Sequence, residues 1–227
     1  MLSGEQRVIQ KRRDWNEQAL AKDGFCQQVC RQVTKEDFSK VIEDISWKLE
    51  LPGGGHSLLD VGCGNGYLLQ HLQKHCSFVS GSDFSEEMVR KARCNIPLGD
   101  FICGEALNIG YRENSFERVL IYSVFHYFPD QSYAKRVIKE AVRVCQSGGK
   151  VLLGDLLDKR EEERIKGSSD LEYEKTIPLI QRYSSWLFLD LEEILSFIRA
   201  LGCDCEILPQ AKEWPLSSYR KDIKIWV

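Results

Sequence analysis

Apolar residues along this chain follow two rhythms. Between Thr34 and Glu50 they recur at helical spacing, as Phe38, Val41, Ile42, Ile45 and Leu49, with Thr34 and Asp37 placed to cap the start. The helical period returns at Ala134, Val137, Ile138, Ala141, Val142 and Cys145, behind a capping Asp130 and ahead of the stop Ser147, Gly148, Gly149. Elsewhere the apolar runs are short and unbroken. Val119 to Val124 is nearly all apolar, as a parallel strand covered on both faces should be, and KVLLGDLLD reads as the next strand. In FVSGSDFSEEM, residues 78 to 88, an apolar segment ends at Asp83. Ser85 then caps a helix whose first turn carries Glu86 and Glu87. Asp190 with Glu193 caps a last helix through Leu201, ended by Gly202, and CDCEIL and DIKIWV close the chain as two strands.

Two stretches break these rhythms. The first, Glu5 to Asp23, is polar but carries Arg12, Arg13 and Trp15. The second runs from Lys159 to Leu189, where the charged run KREEERIK reads as a solvated helix and is followed by Tyr173, Ile177, Pro178, Tyr183, Trp186 and Phe188 without strand alternation. A connector of that length is a candidate binding element or lid. No repeat, low-complexity tract or domain boundary divides the chain, so residues 1–227 read as a single domain.

Composition narrows the function classes. A chain of 227 residues can bury roughly 70 to 75% of its unfolded surface in one core. Its 31 basic and 34 acidic residues leave a net charge of -3 with no long basic run, so nucleic acid is not expected as the main partner. No apolar run approaches the roughly 20 residues that span a bilayer, and MLSGEQRVIQKRRDWNEQ lacks the apolar core of a signal peptide. A cytoplasmic protein with no membrane association is expected. The nine cysteines are odd in number and scattered through apolar segments, which fits buried, reduced thiols. His71 and His75 share a helical face beside Cys76, but without a further ligand the pattern is that of a solvated helix, and no metal site is expected.

The richest stretch is LLDVGCGNGY, residues 58 to 67. A buried strand runs into a tight turn of Gly62, Gly64 and Gly66 and then a helix through about Cys76. A dinucleotide-binding loop would read G-x-G-x-x-G. Here the third glycine comes one residue early, and Tyr67 stands where the last glycine belongs. Asp60, ahead of the first glycine, would repel a phosphate and suit a cationic ligand.

LLDVGCGNG resembles the nucleotide loop of class I S-adenosylmethionine-dependent methyltransferases. Four further motifs follow in that family's order: FVSGSDFSEEM, FICGEALNIGY, NSFERVLIYSVFHYFPD and SGGKVLLGD. The resemblance covers roughly residues 55 to 227 and implies an α/β, Rossmann-like, doubly wound sheet of seven strands. That sheet is mostly parallel with an antiparallel C-terminal edge, has helices on both faces, and binds S-adenosylmethionine across its carboxyl edge. By the same resemblance Asp60, Gly62, Cys63, Gly64, Gly66 and Tyr67 form the cofactor loop. Asp83 accepts both ribose hydroxyls, at about the spacing from the glycines that a nucleotide fold requires. Phe84 and Met88 line the adenine, and Glu105 and Ala106 meet its edge from a Gly-Glu-Ala triplet. Tyr122 and Ser123 pass the methionine part. His126 lies at the floor of the substrate pocket, with Tyr127 and Asp155 behind it as catalytic candidates.

The implied reaction moves a methyl group in line from sulfur to an oxygen, nitrogen or carbon of a small-molecule acceptor, leaving S-adenosyl-L-homocysteine. Residues 1–50 would be a helical lid and residues 159–189 a substrate segment, in a monomer or homodimer. Three other readings compete: a cofactor-binding protein without catalysis, a tRNA or protein methyltransferase, and a nicotinamide oxidoreductase. The glycine spacing and Asp60 speak against the last.

Overall fold

The protein is described by a computed structural model covering residues 4–20, 35–210 and 217–227. Seven strands, β1 (His56–Val61), β2 (Cys76–Asp83), β3 (Asp100–Cys103), β4 (Phe116–Tyr122), β5 (Cys145–Leu157), β6 (Asp204–Pro209) and β7 (Arg220–Trp226), form one sheet in the order β3-β2-β1-β4-β5-β7-β6. The pairs among β1 to β5 are parallel, and β7 runs antiparallel to both neighbours. The expected antiparallel closing pair is therefore present, with β6 at the edge and β7 seated inside it. The strand order reverses where β1 meets β4, and a doubly wound sheet binds ligands at that crevice, beyond the carboxyl ends of its strands.

Because side chains alternate across a strand, the unbroken apolar runs feed two cores at once. Leu58, Leu120 and Leu152 face one side, where Phe38, Val41, Ile42 and Ile45 of α2 (Lys35–Lys48) and Leu49 just after it cover them with α3 (Tyr67–Leu72) and α4 (Glu86–Asn95). Leu59, Val119, Ile121, Val151 and Leu153 face the other, against α5 (Gln131–Val144) and α8 (Leu191–Ala200). Three caps form as the sequence implies. Ser85 accepts from Met88 N at 3.2 Å, Asp130 from Tyr133 N at 2.7 Å and Asp190 from Glu193 N at 3.1 Å. The Thr34 and Asp37 cap lies outside the described residues.

Some boundaries shift. The helix after the glycine loop stops at Leu72, since one 3₁₀ turn, Gln73–His75, brings the chain straight into β2 at Cys76. Ser147, Gly148 and Gly149 do not separate α5 from β5; they ride inside the strand where its register against β4 slips. The charged run after β5 forms α6 (Glu162–Gly167), followed by α7 (Leu171–Glu174) and two 3₁₀ turns. This connector has its own small core of Leu157, Trp186, Phe188 and Tyr219, packed by Ile165. The seven described cysteines are free thiols, and Cys26 and Cys30 lie outside the described residues.

Candidate functional site

A pocket with an empty volume of about 1210 Å³, part of it open to solvent, lies over the carboxyl ends of β1, β2 and β4. The turn after β1 builds its floor. Gly62 N and Cys63 N both donate to Ser82 O, at 2.7 and 3.1 Å, which ties the loop to β2. Gly62 sits at φ 79°, and a side chain there would place its Cβ 2.4 Å from Val124 Cγ2, so glycine is required by conformation and by space. Gly154 on β5 plays a similar part: a Cβ would stand 2.1 Å from the Tyr122 ring, and its absence lets that ring reach the pocket wall.

Two carboxylates sit side by side on the wall. Asp83 receives Gly64 N on Oδ2 and Ser85 N on Oδ1, both at 2.9 Å. Burial lifts its pKa to about 6 against the lowering effect of the bonds from Ser85, Gly64 and Phe84. Asp60 is 1% exposed, and its Oδ2 has no hydrogen-bond partner. Burial, and then the neighbouring Asp83, push its pKa up to about 8. A buried carboxylate oxygen left unsatisfied is costly, so this wall is built for a donor or a cation brought by a ligand.

Of the residues singled out in the sequence, Asp60, Gly62, Cys63, Gly64, Tyr67, Asp83, Phe84, Glu105, Ala106, Tyr122, Ser123 and Tyr127 line this one pocket. Gly66 and Met88 stand behind it: Gly66 starts α3 at φ 82° and packs near Ile96 and Ala92, and Met88 is buried in α4. His126 and Asp155 are buried and absent from the lining. The His126 ring is stacked between Tyr127, at 4.0 Å, and Trp186, at 4.6 Å. Asp155 is ion-paired with Arg220, accepts from Ser123 Oγ at 2.6 Å, and through its own amide donates to Asp222 at 2.8 Å. Gln210 bridges this group to Asp222 at 3.0 Å. Ser123, just past β4, and Asp155, where the register of β5 shifts, have positive φ, 62° and 64°, so strained backbone sits on two neighbouring strands beside the pocket.

The pocket's cover comes from the N-terminal segment. Helix α1 (Gly4–Leu20) lies across it, with Val8, Lys11 and Trp15 in the lining. Its anchors are polar: Asn16 Oδ1 accepts from Ser85 Oγ at 2.6 Å, Arg12 reaches Glu105 at 2.9 Å and the Phe84 ring at 5.8 Å, and Lys11 donates to Tyr127 O. Trp15 meets the Tyr127 ring edge-on at 5.6 Å. Phe38, Leu68, Phe128 and Tyr133 complete the aromatic and apolar walls. No residue of 159–189 lines the pocket. That segment touches it indirectly, through Trp186 against His126 and through Ile180 N, which donates to Asp14 of α1 at 3.4 Å. The pocket thus joins an acidic wall with unused acceptor capacity to an aromatic end, an arrangement for a cationic, partly apolar ligand. His71, away from it, bonds Tyr67 O at 2.9 Å and packs on the Tyr67 ring, and the described residues contain no cluster of possible metal ligands.

Residues 59–153 match the family model described as methyltransferase domain. A tRNA (carboxymethyluridine(34)-5-O)-methyltransferase of Arabidopsis thaliana is 33% identical over 105 residues, 46% of this chain and 25% of the relative. A 27-O-demethylrifamycin SV methyltransferase of Amycolatopsis mediterranei is 31% identical over 136 residues, 54% of this chain and 49% of the relative. The chain thus spans half or less of these curated relatives. Among solved structures, magnesium protoporphyrin IX methyltransferase from Synechocystis, crystallised with bound SAM, superposes with a TM-score of 0.65 at 16% identity, covering 99% of this chain and 97% of that one. The PH0226 protein of Pyrococcus horikoshii gives 0.66 at 21% identity, over 85% and 91%. Residues 59–153 thus resemble a methyltransferase domain, and the sheet has the Rossmann-like fold of these solved structures.

Proposed function

We propose that this protein transfers a methyl group from S-adenosylmethionine to an oxygen, nitrogen or carbon of a small-molecule acceptor. The observation that carries the reading is the pair Asp60 and Asp83, buried on one wall of a pocket that is also lined by aromatic rings, the first with a carboxylate oxygen that has no hydrogen-bond partner. Both fit the cofactor. Asp83 keeps acceptor capacity for a ribose diol after its two backbone bonds, and Asp60 suits the cationic amino-acid end. Phe84 and Ala106 offer apolar surface to a base, with Glu105 to receive its amine. When bound, the cofactor supplies an electrophilic methyl group on a positively charged sulfur.

The chain's own residues bind, orient and keep water out. Tyr122 and Ser123 hold the wall beneath the reacting end, and Asp155 fixes Ser123 through the 2.6 Å hydrogen bond. Tyr127 meets the acceptor, and His126, stacked behind it, holds its ring. Orientation and water exclusion can together lower such a barrier by roughly 7 to 11 kcal/mol, so no strong base is required. The cover of α1 over the pocket favours an acceptor small enough to be enclosed.

The test is thermal unfolding with S-adenosylmethionine, S-adenosylhomocysteine and NAD. A ligand at 100 times its dissociation constant adds about 2.7 kcal/mol. Stabilisation by both sulfur nucleosides, and its loss in Asp83→Ala, is the expected result. Stabilisation by NAD alone would sink the reading. A tRNA acceptor is the second reading, supported by the name of the Arabidopsis relative. It would show as tRNA binding that falls steeply with salt.

A further inference from the structure

Lys11 is a buried cation in an aromatic setting. Its side chain lines the pocket from α1, the residue is 7% exposed, and Nζ uses one of its three donors on Tyr127 O. Among the described residues no carboxylate forms an ion pair with it. Burial, and then the charge of Arg7, lowers the lysine pKa to about 8. Arg12, one residue on, turns toward Glu105, so the two basic residues address different parts of the lining. Lys11 sits at the end formed by Trp15, Tyr127 and Phe128. A buried ammonium without a counter-ion is costly, and the remaining donors can be satisfied by an anion that arrives with a ligand.

We infer that Lys11 receives a carboxylate of the bound ligand, carried either by the acceptor or by the amino-acid end of the cofactor. The inference rests on the methyltransferase reading above for the identity of the cofactor. A planar carboxylate fits two ammonium donors while its apolar body lies against Trp15 and Tyr127. The three acids of the cofactor side, Asp60, Asp83 and Glu105, would repel such a group, which sets its direction in the pocket. An acceptor of this kind is an organic acid.

Calorimetry on the whole protein separates the two sources. Wild type, Lys11→Gln, which can still donate to Tyr127 O, and Lys11→Arg, which keeps the charge, are titrated with three probes. These are S-adenosylhomocysteine, 5′-methylthioadenosine, which lacks the amino-acid end, and 4-hydroxybenzoate added to the S-adenosylhomocysteine complex. A loss of about tenfold or more for S-adenosylhomocysteine in Lys11→Gln, with 5′-methylthioadenosine unchanged and Lys11→Arg near wild type, assigns the cofactor carboxylate. A like loss confined to 4-hydroxybenzoate assigns the acceptor. Equal losses for both nucleosides would make Lys11 a mere prop for Tyr127, and no change for any probe would remove it from binding; either overturns the inference. Wild type that binds neither nucleoside sinks the methyltransferase reading instead, and 4-hydroxybenzoate titrated into the free wild-type and variant proteins then reports on Lys11. Should Lys11→Gln fail to fold, Lys11→Met and the same three titrations replace it.

Discussion

Asp60 and Asp83 end neighbouring parallel strands, and the second raises the proton affinity of the first across a shared pocket wall. The pair makes the empty site sensitive to pH. Asp60 has its folded pKa raised from 3.8 to about 8. Its contribution to stability is therefore fully present below the unfolded value and is lost as pH rises through about 8. Stability of the ligand-free protein should fall between those limits, and Asp60→Asn should flatten the slope. Urea unfolding at several pH values measures it.

A cationic ligand needs Asp60 ionised, so binding below pH 8 must expel its proton. Calorimetry of S-adenosylmethionine in buffers of different ionisation enthalpy should report proton release at pH 7, reduced in Asp60→Asn. Equal heats in all buffers would refute the linkage.

Gly62→Ala meets two penalties, a left-handed backbone and a Cβ 2.4 Å from Val124 Cγ2. The conformational part is about 1–2 kcal/mol, and overpacking adds about 1–3 kcal/mol. Adding Val124→Ala should restore the packing part alone. Chemical denaturation of both variants separates the two, and a double variant no more stable than Gly62→Ala would show that the clash does not matter.

Removing Arg220 leaves Asp155 buried without its ion-pair partner. Breaking a buried pair from one side typically costs about 3–5 kcal/mol. Arg220→Met should lose stability of that order, and Asp155→Asn combined with it should recover part of the loss. Tyr127, by contrast, lines the pocket, so Tyr127→Phe should alter acceptor turnover with little change in melting temperature.

Trp15 touches the pocket and the Tyr127 ring. One such ring contact contributes about 0.5–1.5 kcal/mol beyond area burial. Trp15→Ala should therefore weaken S-adenosylhomocysteine binding by up to about tenfold, mostly through faster dissociation. His126→Phe keeps a ring between Tyr127 and Trp186 and should retain most turnover, whereas His126→Ala should not. Stopped-flow and steady-state rates decide both.

The strand motifs were legible because each packs chemistry and fold into a few adjacent residues. LLDVGCGNGY carries its own turn angles, and Asp83 its own helix cap. What escaped was held by distance. Nothing near Asp155 announces Arg220, sixty-five residues on, as its partner. Lys11 escaped because α1 docks by Asn16, Arg12 and Lys11 rather than by an apolar stripe, and hydrophobic periodicity cannot register a helix fastened by hydrogen bonds. The aromatic residues of 159–189 stood out, but Trp186 and Phe188 serve a small core with Tyr219, Tyr173 and Tyr183 are exposed, and none of the four lines the pocket.

The position of β7 has a consequence for the order of assembly. Residues 220–226 are threaded between β5 and β6, and they bring Arg220 and Asp222 to the backbone and carboxylate of Asp155. A ribosome must have synthesised nearly all of the sequence described here before the sheet can close on that side. Until then β5 presents an open edge, and Asp155 lacks its counter-charge. The early strands can collapse as they emerge, yet the floor beneath Ser123 takes its final shape only when a late segment inserts, a non-local step expected to limit the folding rate.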